Sequence, residues 1–322
     1  MKTPRFWNSK NWLSLLLFPL SGFYYLGCKV HKARAKPKKL SVPVLCIGNL
    51  TAGGAGKTPV ALHIGELLKR KGIKAFFISR GYGGNIKTPT IVDIEKHRAR
   101  QVGDEPLLLA RVLPTVVCNN RFRAAELAIK SGAEIIVMDD GFQNYSIVKD
   151  LSLIVVDRRL SFGNEMMLPA GPLREPVAQG IKRADGVVII NPANFLPTAL
   201  HDIPFFLARS KPKASMLALK DKKILAFCGL AYPQKFYHML HEVGANIVER
   251  VSFADHHHYS KKELALLKKR GKQHEAILVT TSKDAVRLPD SVKLEVTIAE
   301  MELVFENDDK LEDMINAVLK KS

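Results

Sequence analysis

The residues best equipped for chemistry lie in Thr51-Ala52-Gly53-Gly54-Ala55-Gly56-Lys57-Thr58, a glycine-rich stretch between the apolar run 42–47 and a helical pattern. Strand, glycine turn and helix in that order direct backbone N–H groups at a di- or triphosphate. In such a loop Lys57 reaches the terminal phosphates and the Thr58 hydroxyl takes a Mg²⁺ coordination position. Thr51 stands where the G-x-x-x-x-G-K-[ST] pattern has its first glycine, but Gly53, Gly54 and Gly56 still supply the tight backbone. Thr51, Gly53, Gly54, Gly56, Lys57 and Thr58 are therefore the expected residues around a nucleoside triphosphate.

A loop lysine with bound Mg²⁺ calls for carboxylates nearby. Asp139-Asp140 closes the apolar run 135–138, where an acidic side chain can hold the ion directly or through water. Asp104, in Gly103-Asp104-Glu105-Pro106, opens a helical pattern. By default an Asp there caps the helix; as a general base it needs an orienting neighbour, and Asp255-His256-His257-His258 offers one. Adjacent side chains diverge, so a metal site built on the three histidines is the weaker reading. Arg80 in Ser79-Arg80-Gly81-Tyr82-Gly83-Gly84 and Arg174 in Pro172-Leu173-Arg174-Glu175-Pro176 sit in loops suited to phosphate clamping or to surface ion pairs.

These residues need a scaffold, and the apolar runs describe one. Segments 75–79, 115–118, 134–138, 151–156 and 186–190 are short and apolar, with helical patterns between several of them. That alternation predicts a mostly parallel sheet covered by helices on both faces, with ligands at the carboxyl ends of its strands. A proline-containing polar link near 209–214 separates a second alternation, with strands expected at 224–227, 247–253, 276–280 and 292–298. The length of 322 residues suits two such units. The expected organisation is an N-terminal segment 1–40, a phosphate-loop lobe 41–208 and a smaller α/β lobe 209–322.

The N-terminal segment carries a different signal. No residue from Asn11 to Cys28 is charged, and Lys29, His31, Lys32, Arg34, Lys36, Lys38 and Lys39 follow. The chain holds 49 Lys and Arg against 31 Asp and Glu, and nine of those cations precede residue 41 while the first acid is Glu66. With Pro19 and Gly22 interrupting the apolar run, a helix lying in or dipping into one leaflet fits better than a full span, a cleaved leader or a core helix. The cations suit an anionic membrane surface. A nucleic-acid partner is disfavoured, because the basic block adjoins an apolar segment and lacks stacking aromatics on a sheet. Cys28, Cys46, Cys118 and Cys228 are far apart, as in reduced cytosolic proteins.

Taken in order, these motifs, with Asp139-Asp140-Gly141-Phe142-Gln143 and Thr281-Ser282-Lys283-Asp284-Ala285-Val286, form a set. The set resembles the tetraacyldisaccharide 4'-kinases, the lipid A 4'-kinases of Gram-negative bacteria. The resemblance implies two α/β lobes with the site in the cleft between them. It also implies transfer of the ATP γ-phosphate to the 4'-hydroxyl of a tetraacyldisaccharide 1-phosphate at the cytoplasmic face of the inner membrane. Under it the triphosphate at the glycine-rich loop is ATP, Asp104 falls on the catalytic base and His256 on its paired histidine. Thr58, Asp139, Asp140 and Glu175 fall on the Mg²⁺ group, and Arg80, Arg121, Gln143 and Arg174 on phosphate or substrate contacts. Three positions depart from the family pattern: Asn144 replaces a histidine after D-D-G-F-Q, Ser282 replaces the Glu of T-E-K-D, and the turn Cys228 to Pro233 varies a G-I-A-N-P-like sequence. The competing reading is a membrane-associated switch ATPase of the MinD type; those carry an extra lysine where this chain has Thr51.

Overall fold

The structure, a computed structural model, describes residues 4–158, 161–192, 200 and 202–320. Its strands are β1 (Val44–Gly48), β2 (Ala75–Ser79), β3 (Thr90–Ile91), β4 (Thr115–Val117), β5 (Ile135–Asp139), β6 (Leu151–Asp157), β7 (Gly186–Ile190) and β8 (Phe205–Pro212). They continue with β9 (Lys223–Cys228), β10 (Asn246–Ser252), β11 (Ile277–Thr281), β12 (Thr297–Ala299) and β13 (Met301–Phe305). Among the described residues these form a nine-stranded sheet in the order β13-β8-β7-β6-β1-β5-β2-β4-β3 and a four-stranded sheet in the order β10-β9-β11-β12. The large sheet is parallel except at its two edges, where β13 runs antiparallel to β8 and β3 antiparallel to β4. The small sheet is parallel throughout.

Why the central strands are apolar at every position follows from their two covered faces. Side chains alternate across a strand, so Leu45, Ile47, Phe77, Ile135 and Val137 join one core while Val44, Cys46, Ile78, Ile136 and Met138 join the other. Helix α1 (Trp12–Arg34) precedes the sheet. Next comes α2 (Lys57–Arg70), whose Val60, Ala61, Ile64, Leu67 and Leu68 cover the first core. After α3 (Ala99–Val102) and α4 (Asp104–Leu109), α5 (Arg121–Lys130) lays Ala124, Ala125 and Ala128 on the second.

The two sheets divide the chain differently from the expected boundary at 208/209. Strand β13 pairs with β8 from Met301↔Pro212 to Phe305↔Ala208. The C-terminal helix Asp308–Leu319 then buries Leu311 and Ile315 in the same core as α2. Residues 301–319, expected with the second lobe, thus belong to the large sheet, and the small sheet is inserted between β8 and β13. Strand β13 is not among the expected strands, and the helical pattern after it carries no information on which sheet it joins. The strand expected at 292–298 is a short helix, Asp290–Lys293, followed by the three-residue β12.

Helix α1 also differs from expectation, because it runs unbroken through Pro19 and Gly22 and absorbs the cations up to Arg34 into its last turns. Asn11 caps it, accepting hydrogen bonds from the N–H groups of Leu13 and Ser14. By length and composition α1 could cross a membrane, with a mean hydropathy of 1.4. It does not float free. Ser21 Oγ donates to Met167 O at 2.8 Å, Gln179 Nε2 donates to Tyr25 Oη at 2.7 Å, and the preceding Trp7 Nε1 donates to Pro169 O at 3.0 Å. That face is docked on the loop leading to Arg174, while Trp12 and Phe23, each 75% exposed, and Leu15, Leu16 and Leu26 face outward.

Candidate active site

The glycine-rich loop leaves the carboxyl end of β1 and enters α2, with β5 alongside so that Ile47 pairs with Asp139. Gly56 caps α2 in the left-handed region at φ 87°, and no side chain occupies the first-turn N–H groups. A helix start left uncapped by side chains is ready for an anion. Alanine at Gly56 would meet Ile190 Cδ1 at 2.4 Å as well as adopting that backbone. Thr51 forms an antiparallel bridge to Leu173, and Ala52 N donates to Pro172 O at 2.7 Å, so the loop is braced against the segment that carries Arg174.

Lys57 Nζ donates to Asn49 Oδ1 at 3.3 Å and lies 3.6 Å from Asp140 Oδ1. Arg174 Nη1 donates to the same Asp140 oxygen at 2.9 Å and to Gln143 Oε1 at 3.2 Å. Gln143 Nε2 in turn donates to Asn49 O at 2.8 Å and Glu175 Oε1 at 3.0 Å. Lys57, Asp140, Gln143, Arg174 and Glu175 therefore form one connected network at the loop. Burial pushes the Asp140 carboxyl up, but the Lys57 and Arg174 charges outweigh it and hold the group below its ordinary value. Asp140 itself sits at φ 48°, a left-handed conformation that Asp tolerates better than most side chains.

Asp139 is different. It is buried, and its Oδ1 has no protein partner. Burial, with Glu105 and Asp140 nearby, pushes its carboxyl up to about 7 against the opposing charges of Lys57 and Arg121. An orphaned buried carboxylate oxygen fits a cation, and the buried Thr58 is the hydroxyl at the loop. Mg²⁺ keeps waters and phosphate oxygens in its shell and needs only one or two protein carboxylates. Asp139, Asp140 and Thr58 fit that demand. Glu175 fits it poorly, because Arg183 Nη2 at 2.5 Å takes one of its oxygens and Gln143 the other.

Arg121 is buried at the start of α5, where Nη2 donates to the carbonyl oxygens of Asp139 at 3.1 Å and Asp140 at 3.4 Å. Its Nε and Nη1 are buried without a partner, so charge and donors remain for an anion. Arg80 is exposed at the end of β2, and its side chain has no hydrogen-bond or ion-pair partner among the described residues.

The second lobe brings His256 to Asp104. Its Nδ1 lies 2.7 Å from Asp104 Oδ2, and Tyr82 meets the ring edge-on at 5.9 Å. Its neighbour turns away: His257 Nε2 faces Glu263 Oε1 at 3.0 Å and its ring stacks on Phe253. Asp104 begins α4 but is buried, and the N-cap position belongs to Gly103. Burial pushes its carboxyl up, and hydrogen bonds from His256 and Arg287 more than offset this, leaving it lowered. Such a carboxylate is ionised at neutral pH and can accept a proton.

Three functional neighbours were not singled out from the sequence. Asn49 bridges Lys57 and Gln143; Arg287 Nε donates to Asp104 Oδ2 at 2.8 Å; Lys283 Nζ donates to Glu105 Oε1 at 3.1 Å. Lys283 lies inside a quoted motif and Asn49 two residues before the glycine-rich stretch, whereas Arg287 directly follows a motif and reads as a surface cation.

Comparison with known proteins identifies the family. A family model described as LpxK, tetraacyldisaccharide-1-P 4'-kinase, matches residues 13–320. A tetraacyldisaccharide 4'-kinase of Paramagnetospirillum magneticum is 43% identical over 306 residues, covering 94% of each chain. One of Rhodospirillum rubrum is 41% identical over 326 residues, covering 99% of this chain and 98% of the relative. The crystal structure of LpxK from Aquifex aeolicus in complex with ATP superposes with a TM-score of 0.79 at 28% identity, covering 95% of this chain and 99% of that one. This chain belongs to the tetraacyldisaccharide-1-P 4'-kinase family.

Proposed function

We propose that the protein transfers the γ-phosphate of ATP to the 4'-hydroxyl of a tetraacyldisaccharide 1-phosphate, a step of lipid A synthesis. The observation that carries the reading is the 2.7 Å contact between Asp104 and His256, made between the two lobes at the mouth of a phosphate loop. Phosphoryl transfer asks for positioning and charge neutralisation more than for covalent chemistry. The loop amides and Lys57 bind and orient the triphosphate. Mg²⁺ supplies charge neutralisation when bound, and Asp139, Asp140 and Thr58 are the residues that would hold it. Arg174 and Arg121 stabilise the negative charge that spreads over the transferring group.

Asp104 accepts the proton of the attacking hydroxyl, and His256 orients that carboxylate. Because the two come from different lobes, the pair is complete only with the lobes closed, and closure excludes water that would otherwise hydrolyse ATP. Arg80, exposed at the cleft, is free to meet the lipid head group. Glu175 acts through Arg183 and Gln143 and not as a direct metal ligand.

The outward apolar face of α1 supports peripheral attachment to a lipid surface, and the cations Lys29, Lys32 and Arg34 supply attraction to anionic head groups there. We assign that surface to the cytoplasmic face of the inner membrane, where ATP and the acylated substrate meet.

The test is transfer of labelled phosphate from ATP to a monophosphorylated tetraacyl disaccharide in mixed micelles. Wild-type enzyme should label the lipid, and Asp104→Asn should slow labelling by ~10²-fold or more. ATP hydrolysis stimulated by a protein partner, with no labelled lipid, would overturn the kinase reading in favour of a switch ATPase.

A further inference from the structure

Arg287 is among the most enclosed charges in the protein. Its side chain has no exposed surface, yet it carries a full positive charge between two carboxylates, Asp104 in the large lobe and Asp284 in the small one. Its Nε donates to Asp104 Oδ2 at 2.8 Å, and Nη2 lies 2.6 Å from the same oxygen but off the hydrogen-bonding direction. Nη1 donates to Asp284 Oδ1 at 3.1 Å and to the carbonyl oxygen of Gly229 at 3.2 Å.

Asp284 is itself fixed before it holds the guanidinium. Its Oδ1 accepts from Gly229 N at 2.8 Å and from Tyr259 Oη at 2.7 Å, and its Oδ2 accepts from Thr281 Oγ1 at 2.6 Å. Every one of those donors belongs to the small lobe. Arg287 is thus a preset arm of that lobe, and its free edge ends on Asp104. A buried charged group of this kind is a poor way to gain stability, since a well-packed apolar substitute often does as well or better. Its presence points to a requirement on the charge and aim of Asp104.

We infer that Arg287 is a positioning residue that, with His256, saturates Oδ2 of Asp104 and so leaves Oδ1 as the oxygen that meets the substrate hydroxyl. The inference rests on the reading of Asp104 as proton acceptor. Both donors converge on Oδ2, and no hydrogen bond to Oδ1 is found among the described residues. Of the two supports Arg287 is the stronger, because His256 is 36% exposed and sits in a left-handed turn at φ 58°.

The groups facing Asp104 come from both lobes. From the large lobe they are its neighbour Glu105, Arg100 on α3 and Tyr82. From the small lobe they are His256, with Asp255 at 3.8 Å from its far nitrogen, His258, Lys283, Asp284 and Arg287. Lys283 is committed to Glu105 and Asp284 to the small lobe, which leaves Arg287 as the permanent charge on Asp104.

The experiment compares pH profiles of kcat/KM for lipid phosphorylation by full-length wild type, Arg287→Lys, Arg287→Met and Asp104→Asn, with ATP affinity and thermal midpoints measured alongside. The titration of ATP is common to all four. Arg287→Met should lower kcat by at least tenfold, leave the KM for ATP within about twofold, and move the acid limb up by about one pH unit or more, as expected for a carboxylate that loses an adjacent cation. Arg287→Lys, which keeps the charge but cannot bridge both carboxylates, should show a smaller shift in the same direction; should the Met variant fail to fold, this one carries the test. An acid limb that stays in place in the variant that folds would overturn the role of Arg287. Full turnover by Asp104→Asn would instead overturn the assignment of the acceptor, a result distinguishable from the first.

Discussion

Replacing His256 by alanine should weaken the enzyme far less than replacing Asp104, and the structure says by how much. The deletion removes one charge-assisted contact, His256 Nδ1 to Asp104 Oδ2 at 2.7 Å. Hydrogen bonds to charged groups contribute about 1.5–3 kcal/mol, which corresponds to roughly 10–150-fold in rate. Two features press toward the lower end. Arg287 remains on the same oxygen, and the partial exposure of His256 lets water enter where the ring was. We expect about tenfold in kcat. Asp104→Asn removes the acceptor itself and should cost ~10²–10⁴-fold. The double variant should be no slower than Asp104→Asn alone, because a support has nothing left to act on. The sign of the pH effect is also fixed. The donors lower the Asp104 carboxyl, so removing one raises it, and activity should fall away at a higher pH on the acid side with the alkaline side unchanged. Initial rates at saturating ATP and lipid, taken across pH, measure all of this. A His256→Ala enzyme as slow as Asp104→Asn, or a further loss in the double variant, would refute the division of labour.

Four other outcomes follow from particular contacts. Asp139→Asn should raise the Mg²⁺ concentration needed for half-maximal rate by roughly tenfold or more, whereas Glu175→Gln should act mainly on kcat through Arg183 and Gln143; a Mg²⁺ titration of each separates the two. Gly48→Ala should lower the thermal midpoint, since its Cβ would lie 2.3 Å from Phe142 Cβ and 3.1 Å from Phe142 N, an overpacking cost of about 1–3 kcal/mol. Leu16→Glu with Phe23→Glu should release the protein from anionic vesicles in co-sedimentation while leaving ATP affinity unchanged, because both side chains face outward. Removal of residues 1–28 should do more, raising the KM for lipid as well, since Trp7 and Ser21 brace the loop that leads to Arg174.

Much of the site is legible in the sequence because its parts are local. A strand, three glycines, a lysine and a threonine lie within the stretch from Val44 to Thr58, and Asp139-Asp140 closes an apolar run that reads as a buried strand. The doubly covered sheet follows from the same runs. Long-range assignments are where sequence reasoning gives out. Strand β13 is not among the expected strands, and its antiparallel partner β8 lies some ninety positions earlier with a whole sheet between, so the boundary at 208/209 misplaces residues 301–319. Pro19 suggests an interruption because it lacks one N–H, but the leucine-rich turn before it and the aromatic turns after it continue the helix across that single loss. Arg287 is silent in sequence, since its meaning depends on Asp104, 183 positions away. Glu175 looks like a metal ligand until Arg183 is found on its carboxylate.

The insertion of the small sheet between β8 and β13 has a consequence for how the chain is made. On the ribosome the nucleotide loop, Lys57 and most of the large sheet emerge early, but the edge strand β13 and the helix carrying Leu311 and Ile315 leave the tunnel only after the inserted sheet. Until then one side of the layer over α2 lacks its final cover, and the inserted sheet must already be out. A nascent chain stalled before residue 300 therefore keeps an apolar face open while already carrying α1 with its exposed apolar side chains. Synthesis thus delivers the apolar α1 well before the large sheet gains its edge strand β13, so the nucleotide lobe is completed only after that helix has left the ribosome.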